Sequence, residues 1–192
     1  MKTRILFVAA ILYACGVSAQ EDFFKRLSSA AIELTHQRVE YDPQYFSISY
    51  PNGDIPAGKG VCTDVIIRAY RKMGIDLQKE VHEDMKAHFS QYPKLWGLKT
   101  TDKNIDHRRV PNLMKYFSRK GTVKKITHNP ADYVAGDIVS WNLGGAVTHI
   151  GVVVDRKSSD GMRNMIVHNI GGGQVLEDVL FSYKIIGHYS FR

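Results

Sequence analysis

At Gly121 the apolar residues of this chain change their period, and that change limits the fold more than any other feature. Before it, apolar side chains recur at helical spacing. Phe23, Phe24, Leu27, Ala30, Ala31 and Leu34 do so between Asp22, a candidate N-cap, and Gln37. Cys62, Ile66, Ala69, Tyr70 and Met73 follow the same rule up to Gly74, a C-terminal stop. Val81, Met85 and Phe89 predict a helix from about Leu77 to Phe89, and a further helix runs from Pro111 to Lys120–Gly121. After Gly121 come short runs of Val, Ile and aromatics at 122–126, 137–141, 149–155, 165–170 and 185–191, separated by Gly, Asn, Ser and Asp. Without a repeat, a low-complexity tract or a linker, helices first and strands second predict one α+β domain. Its N-terminal helices would pack on a C-terminal antiparallel sheet in meander order.

The first residues read as a targeting segment. Lys2 and Arg4 precede an apolar run from Ile5 to Val17, and Val17-Ser18-Ala19 places small residues where a signal peptidase would cut after Ala19. The run is too short to span a bilayer, so residues 1–19 predict a secretory signal peptide and residues 20–192 the exported domain, periplasmic or extracellular. Leu12-Tyr13-Ala14-Cys15-Gly16 loosely resembles a lipoprotein box with Cys15 as the lipidated residue, but Tyr13 suits it badly. Cleavage removes Lys2 and Arg4 and takes the formal charge from +7 to +5. A moderately basic exported protein suits work near anionic polymers. Dense Lys and Arg runs, which a nucleic-acid surface would need, are absent.

Of the two cysteines, only Cys62 lies beyond the leader. A lone cysteine cannot form an internal disulfide, and a free thiol in an oxidising compartment is a liability unless buried or used. Cys62 opens a helix after the flexible stretch Ala57-Gly58-Lys59-Gly60. Helix N-termini favour thiolate over thiol, so the placement predicts a nucleophile. The plainer reading is a small apolar side chain facing the core.

A nucleophilic cysteine needs a base and a group to orient it. Of eight histidines, His36, His82, His88, His107, His128 and His188 sit in polar helical, loop or C-terminal settings that suit surface or structural roles. His149 heads the apolar strand Thr148–Val154 behind the Gly144-Gly145-Ala146 loop, which leaves room for its ring at the sheet's end. His168, on the next strand, can lie beside it and fix its tautomer. Asn169 is the alternative orienting group, although alternation turns it to the opposite face from His168. Asp64, in the first turn after the cysteine, and Asp137, at a strand entrance, are supporting candidates. No His-x-x-x-His or Cys-x-x-Cys spacing is present, so a one-Cys, two-His zinc site is the weaker alternative, and no metal or cofactor is expected. Asp106-His107-Arg108-Arg109 reads as a salt-bridged loop or a hold for an anionic group.

Four pieces in order resemble the NlpC-type cell-wall peptidases of the papain-like superfamily. These are Gly60-Val61-Cys62-Thr63-Asp64-Val65-Ile66, Gly136-Asp137-Ile138-Val139-Ser140-Trp141, Thr148-His149-Ile150-Gly151-Val152 and Ile166-Val167-His168. The mature chain also resembles the YijF-like exported bacterial proteins. The resemblance implies a papain-like fold with Cys62 as nucleophile, His149 as general base and His168 as its partner. It further implies an amidase or endopeptidase that cuts peptide stems of peptidoglycan through an acyl-enzyme. Val61 stands where that family has Asp, Thr63-Asp64 stands for Ser-Gly, and residues 157–163 lengthen the connection between the histidines. Those departures bear on the substrate pocket more than on the chemistry. The competing expectations are an inactive wall-peptide binding module, and an acyltransferase or thioesterase using the same triad.

Overall fold

The computed structural model describes residues 22–192; the expected leader and Cys15 lie outside the described residues. Helix α1 covers residues 22–34, followed by α2 (Cys62–Lys72), α3 (Leu77–Ala87) and α4 (Val110–Lys120). A small parallel pair, β1 (Glu40–Tyr41) and β2 (Lys59–Gly60), leads into α2. The main sheet holds β3 (Thr122–Val123), β4 (Ile138–Gly144), β5 (Val147–Lys157), β6 (Asn164–His168), β7 (Val175–Glu177) and β8 (Lys184–Ser190). Among the described residues no helix is long and apolar enough to cross a membrane.

Helix α2 is central because nearly all of it is buried. Residues Cys62 to Ile67, Ala69 and Tyr70 are covered, and Val65, Ile66 and Tyr70 meet Leu27 and Ala31 of α1, Leu113 and Phe117 of α4, and Ile150 and Val152 of β5. Its ends suit a helix dipole, with Asp64 in the first turn and Arg71 and Lys72 in the last. It stops at Gly74, whose φ of 79° is open to glycine at little cost. Asp76 caps α3 by accepting from the Lys79 N–H at 3.2 Å, and Pro111 occupies the first turn of α4. The Tyr70 hydroxyl donates to the Phe191 carbonyl at 2.9 Å, tying the last residues to the middle of α2.

The sheet is wholly antiparallel but not a plain meander. Its order is β3-β8-β4-β5-β6-β7, so β4 to β7 follow one another while β8 returns to the free edge of β4 and carries β3 beyond it. A meander would leave β4 as an edge strand with exposed backbone groups; β8 pairs them instead. Strand β7 was not expected. It is only three residues long, too short to show a period. The second expected helix ends at Ala87 rather than Phe89, where a 3-10 turn takes over, and only residues 40–41 of the extended 39–50 stretch pair as strand.

Alternation along β5 builds the core on two sides. Ile150, Val152 and Val154 face the helices, whereas Val153 joins Trp141, Tyr133, Val139, Ile166 and Leu180 in a second cluster. His149 lies on this second side. Its register partner across β4 is Trp141, with ring centroids 5.8 Å apart.

Candidate active site

Cys62 stands at the first position of α2 and is only 7% exposed. The backbone N–H groups of Ile150, the residue after His149, and of Thr63 and Cys62 itself face its sulfur and act on its charge. Those donors favour thiolate, yet burial outweighs them and Asp64 opposes them as well. The thiol pKa is pushed up to about 12. A depressed pKa was the expectation from the helix N-terminus; the partial charge there does not offset full desolvation.

His149 and His168 come together. Nε2 of His149 lies 2.8 Å from Nδ1 of His168, and Nε2 of His168 lies 2.9 Å from Oε2 of Glu177. An ionised carboxylate can only accept, so His168 donates from Nε2 and accepts at Nδ1, and His149 donates from Nε2. That leaves Nδ1 of His149 without a proton, the state required of a base. Burial, and then His168, lower the His149 pKa to about 3. Burial also lowers that of His168, against the raising effect of Glu177. Both rings are therefore neutral at pH 7.

Glycine makes the close pairing possible. A Cβ on Gly151 would fall 2.6 Å from Cγ2 of Ile166 and 3.2 Å from Cβ of His168, so a side chain there would force the histidine strand away. The Trp141 indole, held by a 2.9 Å bond to the Leu180 carbonyl, packs against the His149 ring. No hydrogen bond joins Cys62 to His149; the thiol meets β5 at the neighbouring backbone instead.

The other candidates take distinct places. Asp64 is paired with Arg108 through two bonds of 2.9 and 3.1 Å, both side chains almost wholly buried, and accepts the Val61 N–H at 2.7 Å. Arg108 also donates to the Gln44 carbonyl, so this pair fixes the loop before α2 against the 3-10 turn at 106–108. Asn169 donates to the Gly60 carbonyl at 3.2 Å and accepts from the Gly171 N–H, bracing the approach to Cys62 from a different side than His168. Asp137 is apart from this centre. It accepts from Lys124, from His188 and from the Val134 N–H, closing the turn before β4. Among the described residues no group of three His, Cys, Asp or Glu side chains is arranged to hold a metal ion.

Glu177 escaped sequence reasoning because β7 is so short; only its register opposite Ile166, beside His168, reveals it. Two openings flank the site. A cavity of about 200 Å³ is lined by Cys62, Tyr41, Trp96, Arg109 and Thr148, among others. A wider cleft of about 830 Å³ runs between residues 35–41 and Gly171–Val175 and shares Tyr41 with the cavity.

Residues 28–191 match DUF1287, a domain of unknown function. The chain belongs to the DUF1287 family. This DUF1287 chain is also 53% identical over 151 residues to the uncharacterized protein YijF of Escherichia coli strain K12, covering 79% of the present chain and 73% of that relative. No solved structure matches it.

Proposed function

We propose that this DUF1287 protein is an exported cysteine hydrolase of papain-like fold that cleaves amide bonds in peptidoglycan peptide stems. One observation carries the reading: the Glu177–His168–His149 chain leaves Nδ1 of His149 unprotonated, one strand position from Ile150, whose N–H faces the Cys62 sulfur. As substrate binds, the Cys62 thiol gives its proton to Nδ1 of His149 and the sulfur attacks the amide carbonyl. Catalytic hydrogen bonds that are open in a free enzyme commonly close at this stage. The N–H groups of Cys62 and Thr63 at the head of α2 stabilise the developing oxyanion. His149 then returns the proton to the leaving amine, giving a thioester that water hydrolyses with His149 again as base. The leader expected at residues 1–19 brings the domain to the envelope, where such amides are exposed.

A second reading, a wall-peptide binding module without turnover, is favoured by the burial that raises the thiol pKa to about 12. Incubation with purified muropeptides separates the two. The hydrolase releases new amino groups, Cys62→Ala abolishes the release, and His149→Ala lowers it by about 10²- to 10⁴-fold. Bound but uncut muropeptides would leave the binding module standing.

A further inference from the structure

The cavity beside Cys62 has one charge the folded chain does not balance. Of the two arginines in its lining, Arg108 is paired with Asp64. Arg109 has no ion-pair partner among the described residues, and its Nη1 is buried without a hydrogen bond. Its guanidinium sits 4.5 Å from the centroid of the Trp96 ring, an aromatic 60% exposed and held at a φ of 58°. The Trp96 ring covers one side of the guanidinium, which has no carboxylate beside it. No carboxylate lines the cavity.

The N-terminus of α4 adds positive potential in the same place. Arg109 is its N-cap, Val110 and Pro111 line the cavity, no side chain caps it, and its first turn has no acidic residue. A half-buried arginine with no ion-pair partner among the described residues and an uncapped helix end beside one small cavity both favour an anion there.

We propose that Arg109 is a specificity residue that binds a carboxylate of the substrate, so that the amide presented to Cys62 lies next to a free carboxylate. This rests on the hydrolase reading for the word substrate, but the carboxylate site itself does not depend on turnover. The planar fork of Arg109 suits a planar two-oxygen partner, and about 200 Å³ admits a single small residue rather than a polymer strand.

Titration of 15N-labelled protein with N-acetylalanine and, separately, with N-acetylalaninamide tests it. The acid shifts the Trp96 indole N–H and the Cys62 and Thr63 amide signals together and saturably, whereas the uncharged amide binds roughly tenfold more weakly or less, as the loss of a charge-assisted hydrogen bond requires. Arg109→Gln removes the preference, and Arg109→Lys, which keeps charge without the fork, retains part of it. Equal shifts from acid and amide in the wild type overturn the proposal, whatever the variants do. So does a shift of Trp96 that leaves the Cys62 and Thr63 signals in place. Selective carboxylate binding in a protein that leaves muropeptides uncut would defeat the hydrolase reading and leave this one intact.

Discussion

Oε2 of Glu177 lies 2.9 Å from Nε2 of His168, on the other side of that ring from the nitrogen that meets His149. The two contacts orient a pair of neutral imidazoles in one direction, with the protons pointing from His149 toward Glu177. Sequence distance hides this: the three residues come from three strands brought together by antiparallel pairing.

Removing the base and loosening its support have different sizes. Under the proposed hydrolysis, His149→Ala lowers muropeptide cleavage by about 10²- to 10⁴-fold, the usual contribution of a positioned base. Glu177→Gln costs about tenfold, as outer partners of catalytic histidines do, because Glu177 is half exposed and water partly replaces its charge. Initial rates of amine release measure both, and equal losses would mean that Glu177 does more than orient His168.

Cys62 in the free protein reacts as a buried neutral thiol. With its pKa near 12, the thiolate fraction grows about tenfold for each pH unit below that value. Alkylation by iodoacetamide therefore climbs from pH 7 to pH 10 without levelling. A plateau beginning below pH 8 would mean instead a preformed thiolate–imidazolium pair with His149.

The Asp64–Arg108 pair holds the entry to α2. Arg108→Met strands the Asp64 carboxylate in the interior and lowers stability by about 3–5 kcal/mol. Asp64→Asn combined with Arg108→Met recovers much of this, since an amide oxygen can still accept the Val61 N–H. Urea unfolding of the three variants checks the non-additivity. A double variant as unstable as the sum of the singles would show that the two charges do not act on one another.

Acid unfolds the protein partly through His107, which is buried with an unpartnered Nδ1. Burial first, then Arg108, lower its pKa from 6.5 to about 3. Above pH 6.5 neither folded nor unfolded chain holds this proton, so it does not affect stability. Between pH 6.5 and 3 only the unfolded chain binds it, so stability falls as pH falls, by about 1.4 kcal/mol per pH unit for a full proton. His107→Gln removes this contribution, and unfolding free energies measured across that interval should show the shallower slope. An unchanged slope would place the acid sensitivity in other groups.

Much of the scaffold was legible in the sequence. The helices at 22–34, 62–72 and 110–120 follow from apolar side chains three or four residues apart, and β4, β5, β6 and β8 follow from their Val, Ile and aromatic runs. The one cysteine beyond the expected leader and the histidine heading an apolar strand marked Cys62 and His149 for attention, and strand alternation foresaw His149 beside His168 with Asn169 turned away. These are local regularities, fixed by backbone geometry and by which side chains must leave water.

Only the tertiary structure decided the rest. The return of β8 to the edge of β4, the three-residue β7 that delivers Glu177, and the pairing of Asp64 with Arg108 across 44 positions are long-range associations. The direction of the Cys62 pKa belongs with them. Sequence supplied the helix N-terminus that lowers it, but only packing supplied the desolvation that raises it, because desolvation depends on what the rest of the chain places around the sulfur.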